Sequence, residues 1–116
     1  MTSNRFFVLA AGLAGAAGVA LSAAAAHLAG SPNIGTAASM LLMHAPALLA
    51  LGLFAPGRVL RLAGFVLLAG LAVFSGDLLL REFAGFRLFP MAAPIGGSLM
   101  IAGWLGAAAS ALMDKR

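Results

Sequence analysis

The sequence predicts an all-α integral membrane protein that folds as a bundle of four transmembrane helices. Composition is the first observation: hydrophobic residues make up 63% of the 116 residues and charged residues only 9%, whereas soluble domains carry about 25% charged residues. The second observation is four apolar runs, each long enough to cross a bilayer core of about 30 Å. The third is that most charged residues lie at the ends of these runs. So few charges do not cover a water-facing surface, so membrane integration is expected.

The four runs predict helices at about 6–26, 36–54, 62–80 and 91–113, in a single membrane domain of residues 1–116. The first run also has features of a secretory signal peptide, with a basic residue before it and alanines within it. The apolar part of a signal peptide usually has about 7–15 residues, so the longer run here favours a permanent helix. The breaks between runs contain Gly and Pro, which end helices, and the clearest are at 27–35 and 55–58.

Lysine and arginine divide unevenly between the two sides of the predicted bundle. Four spans place both termini on one side, with five basic residues there and two on the other: Arg5, Arg58, Arg61, Lys115 and Arg116 against Arg81 and Arg87. Because basic loops stay in the cytoplasm, we expect an N-in, C-in protein of the bacterial inner membrane. The basic residues are too dispersed for nucleic-acid binding. The chain has no cysteine, which excludes disulfides and thiolate metal sites.

An acidic residue in the third run is the first candidate for a functional group. Asp77 lies four residues before Arg81, which is the favourable order for an ion pair on a helix. Asp77 is interpreted either as a proton or cation site, as intramembrane acids often are, or as a structural group neutralised by Arg81 or Arg87. The neighbouring arginines favour the structural interpretation. The predicted topology gathers a candidate polar cluster in the outer half of the bundle, made of His27, His44, Asp77, Arg81 and Arg87.

His44 lies inside the second apolar run. It is interpreted either as a metal or haem ligand or proton relay, or as a packed imidazole that bonds a backbone carbonyl or a serine. A zinc site made of His27, His44 and Asp77 would need these residues at one depth, and no i, i+4 histidine pair is present. Methionine ligation of copper is less favoured than packing for Met40, Met43 and Met91. No metal or cofactor is therefore predicted.

Small residues recur along the runs at spacings that let helix backbones approach closely. The residues expected at such contacts are Gly18, Gly76, Gly96, Gly97, Gly103 and Trp104. Trp104 lies in the middle of the fourth run, so we expect it between helices with a partner for its N–H. The small-residue stripes exceed what one antiparallel contact needs, which is typical of a homo-oligomer or a subunit of a larger membrane complex.

Several short motifs resemble those of the YgdD-like proteins, the domain of unknown function 423 family, to which mitochondrial transmembrane protein 256 is related. The motifs are Phe74-Ser75-Gly76-Asp77, Ala93-Pro94-Ile95-Gly96-Gly97 and Gly103-Trp104, with His27 and His44 at matching positions. The family often has Ser-Leu-Tyr where this chain has Asp77-Leu78-Leu79, and Tyr-Gln where it has Met40-Leu41. A site built on Tyr, Gln and Ser is therefore not expected here. The resemblance implies a small multispanning membrane protein and supplies no established activity.

The sequence contains no nucleophile elbow, acid–base pair or nucleotide-binding loop, so no enzyme is predicted. Three functions remain open. The first is a structural or accessory protein that binds membrane lipids or other membrane subunits. The second is a small transporter or proton-linked carrier that uses Asp77 and His44. The third is a protein that binds quinone, haem or a metal within the membrane.

Overall fold

The computed structural model describes residues 2–28, 32–54 and 57–114. These residues form four α-helices and no strand: α1 (Ser3–His27), α2 (Pro32–Phe54), α3 (Arg58–Phe83) and α4 (Ala92–Met113). Each helix is long and apolar enough to cross a membrane. The predicted all-α, four-helix membrane architecture is therefore confirmed. Parts of the predicted breaks (29–31 and 55–56), and the basic residues Lys115 and Arg116, lie outside the described residues.

The helices extend beyond the predicted apolar runs at most ends. α1 begins at Ser3 rather than near residue 6, α2 at Pro32 rather than near residue 36, and α3 runs from Arg58 to Phe83 rather than about 62–80. Hydropathy locates the part of a helix within the hydrocarbon. The helical hydrogen-bond pattern continues past it, because flanking polar residues are also compatible with a helix.

Helices that are consecutive in the chain pack closely, α1 on α2, α2 on α3 and α3 on α4. The backbones of α1 and α3 do not approach one another in this way, nor do those of α2 and α4. Side chains make the bridges there: the rings of Phe7 and Phe65 have centroids 4.8 Å apart. The most buried helix is α3. Of the residues in its apolar 18-residue stretch, 44% are buried, against 22% in the corresponding stretch of each other helix.

Glycines bring α3 and α4 into backbone contact. A Cβ built on Gly96 would lie 2.6 Å from the backbone nitrogen of Phe74, and one on Gly103 would lie 2.9 Å from the Cα of Leu67. Real Cβ atoms do not come so close, so these two positions require glycine for the helices to pack as they do. Gly70, which sequence analysis missed, also belongs to this contact, since its Cβ would lie 2.7 Å from the oxygen of Gly96.

Three other predicted packing residues behave differently from expectation. A Cβ on Gly76 would meet no atom within 4 Å, and one on Gly97 would meet only Phe74 at 4.0 Å. Trp104 is 48% exposed rather than enclosed between helices. Gly97 and Trp104 directly follow Gly96 and Gly103, and successive residues turn by about 100° around a helix. The side-chain positions of Gly97 and Trp104 are therefore directed away from the α3–α4 seam, the line of contact that Gly96 and Gly103 occupy.

Gly18 has its predicted role in the contact between α1 and α2. It is buried, and a Cβ there would lie 2.7 Å from Cγ of Leu42. The same hairpin uses Gly52, where a Cβ would lie 2.5 Å from a methyl group of Val8. The buried core between the helix pairs includes Phe7, Leu48 and Leu71.

Candidate functional site

The five residues of the predicted polar cluster do not form one site. Asp77 and Arg81 lie together near the end of α3, while His44 lies near the middle of α2 and bonds elsewhere. His27 is exposed at the last position of α1, and Arg87 is exposed in the loop after α3. Within the described residues, no group of three or more His, Cys, Asp or Glu side chains is placed to hold a metal ion. The cluster separates into two polar contacts with different architectures.

Asp77 forms the first contact, which closes the loop between α3 and α4. Its side chain is fully buried, and Oδ2 accepts hydrogen bonds from the Arg81 guanidinium, through Nε at 3.0 Å and through Nη2. Oδ1 accepts the backbone N–H of Leu88 at 2.8 Å. The predicted pairing is confirmed with Arg81 as the direct partner. The contact also ties the loop to the helix, because Leu88 lies eleven residues further along the chain.

The turn after α3 brings Leu88 back to Asp77. Gly85 adopts a left-handed conformation with φ of 78°, which glycine reaches without steric cost, and its N–H donates to the oxygen of Leu80 at 3.0 Å. Met91 also has a positive φ, of 68°, directly before α4. Two reversals thus bound the loop, and the carboxylate of Asp77 holds the segment between them.

His44 forms the second contact, which joins α2 to α4. Its Nδ1 lies 2.7 Å from the backbone oxygen of Met40, and its Nε2 accepts the indole N–H of Trp104 at 3.1 Å. A carbonyl oxygen only accepts, so the proton is on Nδ1 and the imidazole is neutral. Both ring nitrogens are therefore occupied. The interpretation of His44 as an imidazole bonded to a backbone carbonyl is confirmed, and Trp104 has the predicted partner for its N–H.

The two contacts lie at different depths. His44 is twelve residues after Pro32, where α2 begins, and ten before Phe54, where it ends. This is about 18 Å into the helix, deeper than the predicted run implies, because α2 begins earlier. Asp77 lies six residues before the end of α3 at Phe83, about 9 Å from it. His44 is thus central and Asp77 is near one end.

Asp114 makes a third polar contact, which sequence analysis missed. It follows α4, and its carboxylate accepts the backbone N–H groups of Val59 and Leu60, each at 2.9 Å. These are among the first amides of α3, which have no partner within the helix. Gly57, before α3, contributes no side-chain cap. An N-capping Asp is normally sought beside its own helix in sequence, so a cap supplied from 55 residues away leaves no local signal.

The remaining polar and sulfur-containing candidates do not assemble into a site. Ser75 is buried, and its hydroxyl has no hydrogen-bond partner among the described residues. Met43 and Met91 are more than half exposed, whereas Met40 packs on the core. The methionines considered as copper ligands therefore do not share one environment.

Two apolar grooves run along the bundle where diagonal helices stay apart. One, of about 410 Å³, lies between α1 and α3, with Leu41 of α2 also in its wall. The other, of about 280 Å³, is lined by residues of α2, α3 and α4, including Trp104. Apart from the Trp104 indole, the side chains that line both grooves are apolar. Such surfaces fit hydrocarbon rather than a polar solute.

No curated protein and no solved structure matches the chain. A family model described as "Protein of unknown function (DUF423)" matches residues 14–97. This range includes His27, His44, Asp77 and the Gly96-Gly97 pair, while Trp104 lies beyond it. Since the match covers more than half of the sequence, the chain belongs to the DUF423 family.

Proposed function

We propose that this small multi-pass membrane protein is a structural or accessory component of the bacterial inner membrane, without enzymatic activity, which binds membrane lipids or other membrane subunits. One observation carries the proposal: its buried histidine and aspartate are bonded within the chain, while its grooves are apolar. His44 has both ring nitrogens engaged and Asp77 has both oxygens engaged. His44 links α2 to α4 and Asp77 holds the loop after α3, and the hydrophobic surface is left for binding.

A carrier would need Asp77 and His44 to bind and release a proton or cation. A proton or cation site must exchange its ligand, but Asp77 is covered by Arg81 and by the amide of Leu88. Protonation of His44 on Nε2 would set two N–H donors, its own and that of Trp104, against each other. A metal or haem at His44 would likewise displace one of its present partners. These occupied positions favour the structural role.

Native mass spectrometry from a mild detergent is the most direct test. We expect the purified protein to retain phospholipid, a second copy of itself or another membrane subunit. A visible absorption band or bound metal would instead support the cofactor alternative. Proton flux in proteoliposomes that stops in a folded Asp77→Asn variant would support the carrier and contradict the proposal.

We further propose that both termini face the cytoplasm. The support is the excess of Lys and Arg on the side of the termini, five against two, under the positive-inside rule. Reporter fusions to each end should be active only in the cytoplasm. A periplasmic signal from either fusion would reject this orientation.

A further inference from the structure

We propose that the chain re-enters the membrane after α3, so that residues 88–91 contact the acyl chains of the leaflet at that end of the bundle, with Arg87 at the lipid phosphates. This inference rests on the lipid-binding part of the proposed function, for which it names a segment of the chain and the layer of the lipid that it contacts. It follows from the apolar surface of the loop, the level at which α4 begins and the distance between the arginines of α3.

The loop between α3 and α4, residues 84–91, exposes large apolar side chains. Phe86, Leu88, Phe89 and Met91 are all exposed, and Arg87 is the one charged residue of the loop. A contiguous apolar surface of this kind marks contact with a membrane or with another protein. The depth of the loop in the bilayer indicates the membrane.

Two glycine contacts fix the relative levels of α3 and α4. A Cβ built on Gly103 would lie 2.9 Å from the Cα of Leu67, and one built on Gly96 would lie 2.6 Å from the backbone nitrogen of Phe74. The two contacts are seven residues apart on each helix. The antiparallel helices therefore rise together, and a level on one helix can be read from the other.

The start of α4 does not reach the level at which α3 ends. Ala92, the first residue of α4, is four residues before Gly96 and is therefore level with Leu78, four residues after Phe74. α3 continues to Phe83, which is five residues or about 8 Å beyond Leu78. The loop has to travel back along α3 by this distance before α4 begins.

A hydrogen bond shows where the loop has returned. The backbone N–H of Leu88 donates to Oδ1 of Asp77 at 2.8 Å, and Asp77 lies six residues before the end of α3. Leu88 is therefore already back at the level of Asp77. Residues 88–91 lie beside the last turns of α3 and not beyond its end.

The arginines of α3 place this level inside the hydrocarbon. Arg61 and Arg81 are twenty residues apart, about 30 Å along the helix, which equals the hydrocarbon thickness of about 30 Å. Because charged side chains favour the boundaries of the hydrocarbon, these two arginines mark its two sides. Asp77 is four residues inside Arg81, so residues 88–91 lie about 6 Å below the boundary.

The backbone of residues 88–91 suits an apolar layer, in which an unpaired N–H or C=O is costly. The N–H of Leu88 is bonded to the buried carboxylate of Asp77, and Pro90 has no N–H. The oxygen of Phe89 accepts the first amide of α4 at 3.1 Å. Asp77 therefore has a second role besides its ion pair, since it satisfies an amide of non-helical backbone within the membrane.

Arg87 lies where the loop turns back from the end of α3. It directly precedes Leu88 and is exposed. An arginine at such a position extends its guanidinium to the lipid phosphates while its aliphatic part stays among apolar groups. The order of one charge followed by exposed apolar side chains thus matches the headgroup and acyl layers of one leaflet.

Nitroxide labels on single cysteines measure the depth of the loop, because the chain has no cysteine of its own. Phe89→Cys is the test position, Phe83→Cys at the end of α3 is the shallow control, and Ile101→Cys on α4 is the deep control. All three residues are exposed. Each labelled full chain is placed in nanodiscs of phosphatidylglycerol and phosphatidylcholine, and relaxation of the label by oxygen, which concentrates in the bilayer, is compared with relaxation by a water-soluble nickel chelate.

The label on Phe89→Cys should lie about 8 Å deeper than the label on Phe83→Cys, although it follows α3 in the chain. Like the label on Ile101→Cys, it should be relaxed by oxygen and protected from nickel. Circular dichroism should show an unchanged helical spectrum for each variant. A depth at Phe89→Cys equal to or less than that at Phe83→Cys would overturn the inference. Protection from both oxygen and nickel would mean that protein covers the loop, and would overturn the lipid contact.

Two combined outcomes separate this inference from the proposed function. If nickel reaches the label on Phe89→Cys while native mass spectrometry still shows retained phospholipid, the re-entrant loop is contradicted and lipid binding elsewhere on the bundle stands. If the label is immersed but no phospholipid is retained, the re-entrant loop is supported and the lipid-binding part of the proposed function is contradicted.

Discussion

The two helical hairpins of this protein are held together by different means. In the hairpin of α3 and α4, backbones touch through Gly70, Gly96 and Gly103, and aspartates fasten both ends. Asp77 holds the connecting loop, and Asp114 caps α3 from the end of α4. In the hairpin of α1 and α2 the backbones also approach closely, at Gly52, where a Cβ would lie 2.8 Å from the backbone oxygen of Asn4. The difference is that side chains of the described residues make no hydrogen bond from α1 to α2.

The difference indicates which half supports the other. The α3–α4 hairpin, called the α3–α4 frame below, has side-chain hydrogen bonds from aspartates at both ends, and α3 is also the most buried helix. α1 packs against α2 and meets α3 through aromatic rings near its start, which leaves the groove beyond them. Among the described residues, the side-chain hydrogen bond that joins the two hairpins runs from Trp104 to His44. Substitutions in the α3–α4 frame should therefore cost more stability than equivalent ones in α1 and α2.

The largest effect is expected from leucine at the glycine seams. At Gly103 a new Cβ would lie 2.9 Å from the Cα and the backbone nitrogen of Leu67, whereas at Gly18 it would first meet the side chain of Leu42, with the backbone nitrogen of Leu42 at 3.2 Å. Overpacking typically costs about 1–3 kcal/mol, and we expect Gly103→Leu at or above the top of that range and Gly18→Leu below it. Thermal unfolding in detergent measures both.

Gly12→Leu is the control for these substitutions, because a Cβ at Gly12 meets no atom within 4 Å. It should unfold at or slightly above the temperature of the parent, since leucine favours a helix over glycine. If Gly18→Leu proved as costly as Gly103→Leu, the two hairpins would be equally rigid and the comparison would fail.

The next largest effect is expected at Asp77. Asp77→Asn keeps the shape but removes the charge that Arg81 binds, and breaking a buried pair costs about 3–5 kcal/mol. Arg81 is 28% exposed and can reach water, so we expect a smaller loss, about 2 kcal/mol. Adding Arg81→Gln should restore part of it. Melting curves of the two single variants and the double variant measure these changes. If Asp77→Asn were as stable as the parent protein, the structural role of Asp77 would be contradicted.

The sequence predicted contacts within one helix well, but of the contacts between helices it predicted some, such as those of Gly18, Gly96 and Gly103, and missed others. Asp77 and Arg81 are four residues apart, so helical geometry alone places them together. His44 and Trp104 are sixty residues apart, and their bond depends on how α2 and α4 are rotated. The same rotation decides that Gly96 is in the seam and Gly97 is not. Uniformly apolar membrane helices give little signal about rotation, because lipid and protein neighbours are equally hydrophobic.

Loss of the link between the hairpins should have an intermediate effect. Trp104→Phe keeps an aromatic ring but removes the N–H that His44 Nε2 accepts. Hydrogen bonds between transmembrane helices contribute about 0.6 kcal/mol on average and at most about 1.7 kcal/mol, so we expect a loss of about 1 kcal/mol. Unfolding in detergent measures it. Ile101→Val, on an exposed position of α4, is the control and should leave stability unchanged.

An effect of similar size is expected where Asp114 caps α3, and it tests most directly whether aspartates hold both ends of the α3–α4 hairpin. Removing an N-cap side chain costs about 0.5–2 kcal/mol, so Asp114→Ala should cost about 1 kcal/mol. Gly57→Ala should act through the same contact, because its Cβ would lie 2.7 Å from Cγ of Asp114. The backbone of Gly57 has a φ of −65°, which alanine also adopts, so local strain does not add to the cost.

The two changes should therefore not be additive. If Gly57→Ala destabilises by displacing the Asp114 carboxylate, it should cost little once Asp114→Ala has already removed that group. Residues in contact typically show coupling of about 0.5–3 kcal/mol, and thermal unfolding of both single variants and the double variant measures it. Additive costs would mean that the carboxylate does not hold the start of α3. The α3–α4 hairpin would then be held by an aspartate only at the Asp77 end, and the contrast between the hairpins would rest on that contact alone.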